Sequence, residues 1–402
     1  MILLRQPKGD RIIEVETEQE ADYCRAKGFR DVTEKDAAGY LAMRQERFEK
    51  AHYTLPDDHL DVYFATVHRR GDGYGMSSHH LKQELLEHKV HLMDDFHGQK
   101  IGILYHRPYG VTQLNNDVKV IFSMFESDKL PPDWKEFCDF ADRVIVPSRW
   151  CQKIFAEAGI KTDVIPLGYD SDTFKFIDRP IPSEKAQPFT FLHYNAFNVR
   201  KGFTEVLKAF LRAFPPGKSM AAKLILKTTL DTIPLPLPKS EYPNIEVITG
   251  ECSPEELASI MERSHAFIFP SRGEGFGITP LEAMATGMPA IVPNAHGISE
   301  YFHPEFMYEV PVKSHCPGLY HSYKGQDVGN MVICDYVKLS EQMLYLYRHQ
   351  EEAKAKGIAA AQYVQAFTYK QSARKMANYL KELDKEKLIK RSDSDILRVT
   401  KI

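Results

Sequence analysis

Two glutamates, Glu274 and Glu282, stand eight positions apart in the stretch EGFGITPLEAMATG, with Gly275 and Gly277 between them. Glycines let a backbone approach a ligand closely, so this spacing favours a binding loop that carries paired carboxylates. Taken singly, each acid has a simpler interpretation. Glu282 would close a capping box, and Glu274 would be a solvated loop acid.

The elements around the acids predict where such a loop lies. The apolar run at 266–270 predicts a buried strand, and the polar, glycine-rich segment after it predicts a loop. Thr279 is the expected N-cap of a helix, Pro280 suits its first turn, and Gly287 ends it. Since ligands of open α/β sheets bind at the carboxyl ends of the strands, the loop and the free N–H groups of the helix suit an anionic ligand.

The E-x7-E spacing, with its glycines and flanking strands, resembles the signature of the retaining GT-B glycosyltransferases of family 4, also called glycosyl transferases group 1. The resemblance implies an α/β protein with two Rossmann-like domains that face each other across a cleft. It also implies that Glu274 holds the hydroxyls of the transferred sugar and Glu282 those of the donor ribose. The remaining donor-binding positions that it implies in this stretch are Gly275, Phe276, Gly277, Ile278 and Thr279.

A second cluster of candidates follows the strand FTFLHY. Arg200 and Lys201 lie at a predicted strand-to-helix turn, where cationic side chains suit a diphosphate. The family pattern G-R-x-x-x-x-K-G is matched at Lys201, but its arginine position is Ala196, so Arg200 is the candidate replacement. Further predicted donor contacts are Asn195, Lys227 and Gly250, the last in a turn where relatives hold the base through backbone atoms, which leaves the base undetermined.

The first half of the chain supplies weaker candidates. Gly73 and Gly75, in the turn GDGYG after a predicted strand, occupy the place of a glycine-rich loop that in the resembled family lies near the donor diphosphate. The segment FSMFESDKLPPDW resembles a subgroup in which Glu126 or Ser123 faces the site. Glu126 is therefore either a catalytic group or an acid that caps the next segment.

Composition bounds the class of protein. The 402 residues are 43% hydrophobic, and the net charge of -3 with a pI near 6.6 argues against a globally basic nucleic-acid binder. The cysteines are scattered without a C-x-x-C pair, which indicates reduced thiols and a cytoplasmic location. We expect no signal peptide and no transmembrane segment, and peripheral membrane contact stays open.

Domain boundaries follow from breaks in pattern and composition. A proline-rich shift near residue 180 separates two predicted Rossmann-like domains, and a polar accessory segment precedes both. The predicted ranges are 1–55 for the accessory segment, 56–180 for the acceptor-side domain, joined by a C-terminal helix at about 368–402, and 181–367 for the nucleotide-sugar domain.

Residues 305–335 look like an insertion. The spacing of His315, Cys316 and His321 does not match a zinc site, so a surface loop is expected there. No D-x-D metal motif is expected in the cleft segments, and no cofactor is expected besides the donor.

The resemblance implies transfer of a sugar, with retention, from a UDP- or GDP-linked donor to a hydroxyl of a glycan, a lipid-linked sugar or a polysaccharide intermediate. Lys201, with Arg200 as the candidate second cation, and the helix amides would stabilise the departing diphosphate without a metal. Two alternatives stay open: an enzyme that modifies hydroxymethylated pyrimidines in DNA, and a non-catalytic GT-B binding subunit, which Ala196 favours.

Overall fold

The structure is a computed structural model that describes residues 2–5, 12–15, 22, 25, 30–33, 58–66, 73–182, 188–196, 198–216, 221–229, 242–252, 254–318, 320–323 and 325–386. Met1–His59 and Leu60–Ile402 are separate compact units. In the first unit, an antiparallel sheet in the order β2-β1-β3 joins β1 (Ile2–Arg5), β2 (Ile12–Val15) and β3 (Arg30–Asp31). The other parts of the predicted accessory segment lie outside the described residues, apart from a few positions.

The second unit begins with a six-stranded parallel sheet in the order β5-β4-β6-β7-β8-β9. Its strands are mostly apolar because helices cover the sheet on both faces. The elements are β4 (Leu60–Thr66), α1 (Gly73–Leu86), β5 (Val90–Met93), β6 (Ile101–Tyr105), a 3-10 turn (Pro108–Gln113), β7 (Val118–Phe122), α2 (Trp134–Cys138), β8 (Arg143–Val146), α3 (Arg149–Glu157) and β9 (Asp163–Val164).

A second six-stranded parallel sheet follows, in the order β12-β11-β10-β13-β14-β15. Its elements are β10 (Phe189–Tyr194), a 3-10 turn (Val199–Lys201), α4 (Phe203–Ala213), β11 (Ala222–Lys227), β12 (Ile245–Ile248), α5 (Pro254–Glu262), β13 (Ala266–Ile268), α6 (Ile278–Ala285), β14 (Ala290–Val292), a 3-10 turn (His296–Glu300) and β15 (Tyr308–Glu309). The predicted α/β class with two parallel sheets is confirmed.

The rest of the second unit consists of a hairpin and helices. The hairpin pairs β16 (Val312–Pro317) with β17 (Asn330–Cys334), and α7 (Tyr336–Arg348), α8 (Gln350–Tyr363), a 3-10 turn (Val364–Phe367) and α9 (Tyr369–Lys385) complete the chain. Helix α9 packs against α1 beside the first six-stranded sheet. The end of the predicted C-terminal helix, 387–402, lies outside the described residues. None of the described helices is long and apolar enough to cross a membrane.

The strand order in the second six-stranded sheet predicts where a ligand binds. The chain runs from β10 through β11 to β12 on one side, and then returns to β13 on the other side of β10. The connections after β10 and β13 therefore leave the sheet in opposite directions and open a crevice at the carboxyl ends of these strands. Lys201 follows β10 and Glu274 follows β13, so both candidate residues lie at this crevice.

Three local predictions need correction. Helix α6 begins at Ile278, and its N-cap is Gly277 with φ 88°, because the left-handed turn at this glycine, rather than Thr279, redirects the chain. Gly73 and Gly75 lie in the first turn of α1 instead of a loop. The prediction of a surface loop at 305–335 is also wrong, because this range contains the β16–β17 hairpin and buried apolar residues such as Val328.

Candidate active site

The centre of the site is a buried ionic cluster around Glu274. Its Oε1 accepts a hydrogen bond from Lys201 Nζ at 2.8 Å and another from the Ser271 hydroxyl at 2.6 Å. Arg200 Nη1 lies 3.1 Å from the same oxygen. The backbone N–H of Arg272 donates to the Arg200 carbonyl at 2.7 Å, which ties the loop after β13 to the turn after β10.

The charges in this cluster depend on one another. Burial alone would raise the pKa of Glu274, which is 6% exposed, but Lys201 and Arg200 together lower it to about 2. Burial lowers the pKa of Lys201, and the Glu274 carboxylate opposes that shift. The cluster is thus a compensated group of two cations and one anion, held where an anionic ligand would meet the cations.

Glu126 connects the first six-stranded sheet to the same cluster. It follows β7, and its Oε1 lies 3.5 Å from Arg200 Nη2. The halves are also in direct contact here, because the Ser148 hydroxyl donates to the Gly275 carbonyl at 2.8 Å. A Cβ atom at position 275 would lie 2.6 Å from the Met124 Cβ, so the close approach requires glycine.

The remaining residues of the acid loop contribute mainly backbone. Phe276 is buried and packs against Tyr301, with ring centroids 5.6 Å apart, so its side chain belongs to the core. The Tyr301 hydroxyl donates to the Gly277 carbonyl at 2.6 Å and holds the turn that starts α6. Ile278 and Thr279, in the first turn of α6, are only partly buried. The N–H groups at the start of α6 are thereby held in a defined orientation.

Glu282 lies in α6, outside the ionic cluster. Burial, followed by the charge of Asp170, raises its pKa to about 8. The charge of Glu282 in turn raises the pKa of Tyr194, at the end of β10, although burial is the larger cause. The structure therefore places the two acids of the motif in different surroundings: Glu274 among cations, Glu282 beside another acid and a phenol.

A small cavity adjoins the cluster at the ends of β10 and β11. Its lining residues are His193, Asn195, Ala196, Asn198, Lys201, Phe203, Leu226, Lys227 and Thr228. Lys227 is 2% exposed, and its Nζ donates to the carbonyls of Thr228 at 3.1 Å and Gly250 at 2.5 Å. The predicted donor residues Asn195, Lys227 and Gly250 are thus brought together with Lys201.

The predicted glycines of the first half, Gly73 and Gly75, are connected to the site by the side chain of the residue between them. Tyr74, between Gly73 and Gly75, accepts a hydrogen bond on its hydroxyl from the Met124 N–H at 3.1 Å. Met124 is two residues before Glu126, so the start of α1 and the end of β7 meet at the cleft. Residues 67–72, which contain the rest of the predicted loop, lie outside the described residues.

Two participants escaped the sequence argument. Ser271, which binds Glu274, had the signal of a hydroxyl placed directly after an apolar strand. The second is His296, which begins the 3-10 turn after β14. It has φ 42°, is 5% exposed, and its Nε2 lies 3.0 Å from the Ser271 carbonyl. Burial lowers its pKa to about 4, which keeps the ring neutral beside the cluster.

The expectation about D-x-D motifs also needs correction, because Asp170-Ser171-Asp172 is one and Asp170 acts on Glu282. Asp170 accepts hydrogen bonds from the Asp172 N–H at 2.9 Å and from the Thr173 hydroxyl, while Asp172 pairs with Lys370 at 2.9 Å. The Asp170 carboxylate is thus bound within the turn, and the Asp172 carboxylate is bound in an ion pair with Lys370.

Comparison with known proteins agrees with this geometry. The family model described as glycosyl transferases group 1 matches residues 240–313, a range that contains both acids of the motif. Among curated proteins, ORF313 of Acidianus filamentous virus 1 (isolate United States/Yellowstone), assigned as a glycosyltransferase, is 27% identical over 201 residues, which cover 48% of this chain and 57% of ORF313. The chain thus spans little more than half the length of that relative.

Solved structures show the same fold. A sucrose-phosphate synthase from Thermosynechococcus elongatus superposes with a TM-score of 0.61 at 16% identity, covering 81% of this chain and 99% of that one. Anabaena Alr3699/HepE, solved with UDP and glucose, superposes with a TM-score of 0.59 at 14% identity, covering 81% of this chain and 100% of that one. The predicted GT-B arrangement of two Rossmann-like halves is confirmed by these likenesses.

Proposed function

We propose that this chain is a glycosyltransferase that moves a sugar from a nucleoside diphosphate donor to a hydroxyl acceptor. The observation that carries the proposal is the cluster of Lys201, Arg200 and Glu274 at the crevice between β10 and β13, beside the cavity lined by Asn195 and Lys227. The match of residues 240–313 to glycosyl transferases group 1 supports it.

The chemistry assigned to the cluster is stabilisation of the leaving group. Transfer breaks the bond between the anomeric carbon and the diphosphate oxygen, so negative charge grows on the diphosphate while the sugar becomes cationic. Lys201 and Arg200, with the N–H groups at the start of α6, would take up that charge. The acceptor oxygen forms the new bond, and its proton passes to the departing diphosphate.

Glu274 is suited to hold the sugar. Its contacts with Lys201, Arg200 and Ser271 all fall on Oε1, which makes Oε2 the oxygen for a sugar hydroxyl. With a pKa near 2 it stays a carboxylate, which accepts hydrogen bonds from hydroxyls more strongly than a neutral acid does. Glu282, a partly buried residue of α6, would bind the ribose hydroxyls, in agreement with the family resemblance.

We also propose that the transfer retains the configuration at the anomeric carbon, uses a hexosyl donor, and needs no metal. The protein cations and the helix amides already supply the charge that a divalent ion would supply. UDP-linked sugars are the first donors to test, because HepE was solved with UDP and glucose; GDP-linked sugars are the second.

For the acceptor, a glycan or a lipid-linked sugar is the proposal, and glycosylation of modified pyrimidines in DNA is the alternative. The net charge of -3 favours the former, since a duplex binder gains affinity from phosphate contacts. Salt-sensitive binding to duplex DNA would reverse this preference.

The experiment is a screen of UDP- and GDP-linked sugars by thermal shift, followed by measurement of nucleoside diphosphate release and product anomeric configuration by NMR. Glu274→Gln and Lys201→Met should each lower turnover by about 10² to 10³-fold. The matched control is Lys153→Met, a lysine of α3 whose side chain is 72% exposed, which should leave turnover unchanged. Wild-type turnover in a folded Glu274→Gln protein would remove the basis of the proposal and favour a binding subunit.

A further inference from the structure

Arg272 lies two residues before Glu274, and its backbone is bound on both sides. Its N–H donates to the Arg200 carbonyl at 2.7 Å, and its carbonyl accepts a hydrogen bond from the Val332 N–H of β17 at 2.8 Å. The loop after β13 is thereby attached to the turn after β10 and to the β16–β17 hairpin. Arg272 is the residue at which these three segments meet.

The side chain of Arg272 makes a further connection. Its Nη2 donates to Glu205 Oε1 at 2.6 Å, and the Arg272 and Glu205 side chains are only 15% and 7% exposed. Glu205 lies in the first turn of α4, the helix that begins directly after the turn of Arg200 and Lys201. The ion pair thus joins the loop that carries Glu274 to the helix that follows its two cations.

This ion pair is poorly suited to stabilising the fold. Among the described residues, the buried Arg272 Nε and Glu205 Oε2 have no hydrogen-bond partner, so the two groups share one hydrogen bond instead of two. Taking two charges out of water is costly, and apolar residues of similar volume often stabilise a fold equally well. A hydrogen bond, unlike apolar packing, fixes a distance and a direction. The pair is therefore better suited to orienting the loop after β13.

The site depends on the distance between this loop and the turn after β10. Glu274 Oε1 lies 2.8 Å from Lys201 Nζ and 3.1 Å from Arg200 Nη1. The turn packs tightly on the loop, because a Cβ atom at Gly202 would lie 2.1 Å from the Pro270 carbonyl oxygen. A displacement of about 1 Å can lower the rate of an enzyme about 100-fold. A small shift of the loop would separate the carboxylate from its cations.

We propose that Arg272 is a positioning residue whose ion pair with Glu205 keeps the Glu274 carboxylate at its distance from Lys201 and Arg200. The proposal rests on the function proposed above, in which Glu274 holds the transferred sugar and the two cations take up the charge of the leaving diphosphate. Arg272 contacts no substrate in this assignment and acts through the loop.

The first test removes both charges together. A double variant, Glu205→Leu with Arg272→Met, replaces the pair by apolar side chains of similar size, so its urea denaturation midpoint should stay close to that of the wild type. Its kcat should fall about tenfold, because the loop loses a contact of fixed direction. The donor KM should change by about threefold or less, since the cavity residues Asn195 and Lys227 do not depend on the pair. Wild-type kcat in the double variant would overturn the proposal.

A conservative variant tests the geometry of the pair. Only Arg272 Nη2 binds Glu205 among the described residues, and a lysine ammonium can supply that single hydrogen bond. Arg272→Lys should therefore keep kcat within about threefold of the wild type. This variant also decides the question if the double variant does not fold. A loss of about tenfold in Arg272→Lys would contradict the assignment.

Arg263→Met is the matched control. Arg263 pairs with Glu246 of β12 in the same half of the chain, with Nη2 and Oε1 2.7 Å apart. Arg263 follows α5 and precedes β13, on the side where the parallel strands begin, so this pair lies away from the crevice. The control should keep kcat and KM within about twofold of the wild type. A loss equal to that of the double variant would show that the effect is not specific to Arg272 and would overturn the proposal.

Crystal structures of the wild type and the double variant keep the test independent of turnover. The distance between Glu274 Oε1 and Lys201 Nζ, 2.8 Å in the structure, should exceed the hydrogen-bond limit of about 3.5 Å in the variant. An unchanged distance would overturn the proposal. If the wild type turns over no nucleotide sugar, the proposed function fails, while this comparison still decides whether the ion pair positions Glu274.

Discussion

The loop around Glu274 and the helical turn around Glu282 carry the same functional group eight positions apart, yet they hold it in opposite states. Lys201, at 2.8 Å, and Arg200, at 3.1 Å, outweigh burial and lower the pKa of Glu274 to about 2. Burial and the charge of Asp170 raise the pKa of Glu282 to about 8. At neutral pH the first acid is a carboxylate and the second is mostly protonated.

This difference shows that the motif fixes where the two glutamates lie in the fold, whereas their surroundings determine whether each glutamate is charged. Glu274 follows β13 at the crevice, where the turn after β10 delivers two cations. Glu282, in α6, interacts electrostatically with Tyr194 and Asp170, neither of which supplies positive charge. A ligand with a negative diphosphate and neutral hydroxyls suits such a division, because the cations meet the anion and the neutral acid adds no repulsion.

The largest expected effect comes from removing the cation that holds Glu274. Lys201→Met leaves a buried carboxylate with Arg200 alone, so the free energy of unfolding should fall by about 3 kcal/mol. Urea denaturation at pH 7 measures it, and Lys153→Met is the control with no expected change. Adding Glu274→Gln should restore most of the loss, and a fall below about 1 kcal/mol would show that the pair is weakly coupled.

A pH-dependent effect, smaller per pH unit, is expected at Glu282. Its pKa in the folded protein, about 8, lies above the ordinary value of 4.5, so its contribution to stability is complete below pH 4.5 and is lost as the pH rises toward 8. The loss amounts to at most about 1.4 kcal/mol per pH unit. Glu282→Gln should therefore flatten the decline of unfolding free energy between pH 5 and 8. Parallel curves for wild type and variant would mean that Glu282 is ionised.

The smallest effect separates burial from charge at Glu282. Asp170→Asn removes the second cause of the raised pKa and keeps burial, the first cause. In the variant, the free energy of unfolding should stop falling at a pH less than one unit below that of the wild type. This shift corresponds to about 1 kcal/mol or less. Denaturation curves at closely spaced pH values measure the shift. A return of the pKa to 4.5 in this variant would show that charge, rather than burial, is the main cause.

Several features followed from local pattern. The apolar runs that became β10 and β13, the polar loops after them, and the helix with Ser148 as N-cap were predictable because strand and cap signals extend over only a few residues. The same signals placed Lys201 and Glu274 at the carboxyl ends of parallel strands, and hence near each other.

Other features were not predictable from local pattern. Thr279 has a good N-cap side chain, but the left-handed turn at Gly277 begins α6 two residues earlier. Residues 305–335 carry a loop-like composition, yet their strands pair and their tyrosines pack on Phe125, which is distant in the chain. His296 enters the site through the carbonyl of Ser271, which is distant in the chain and which no local pattern connects to it.

By itself, the sequence determined the α/β class, the glycines that permit close backbone contact, and the acid pair with its neighbouring cations. Each of these depends on residue type and on a short window of chain. Only the tertiary structure decided which acid is charged, which side chains contact Glu274, and where the two halves meet. Those properties depend on burial and on charges brought together from remote segments, because electrostatic energy depends on separation in space.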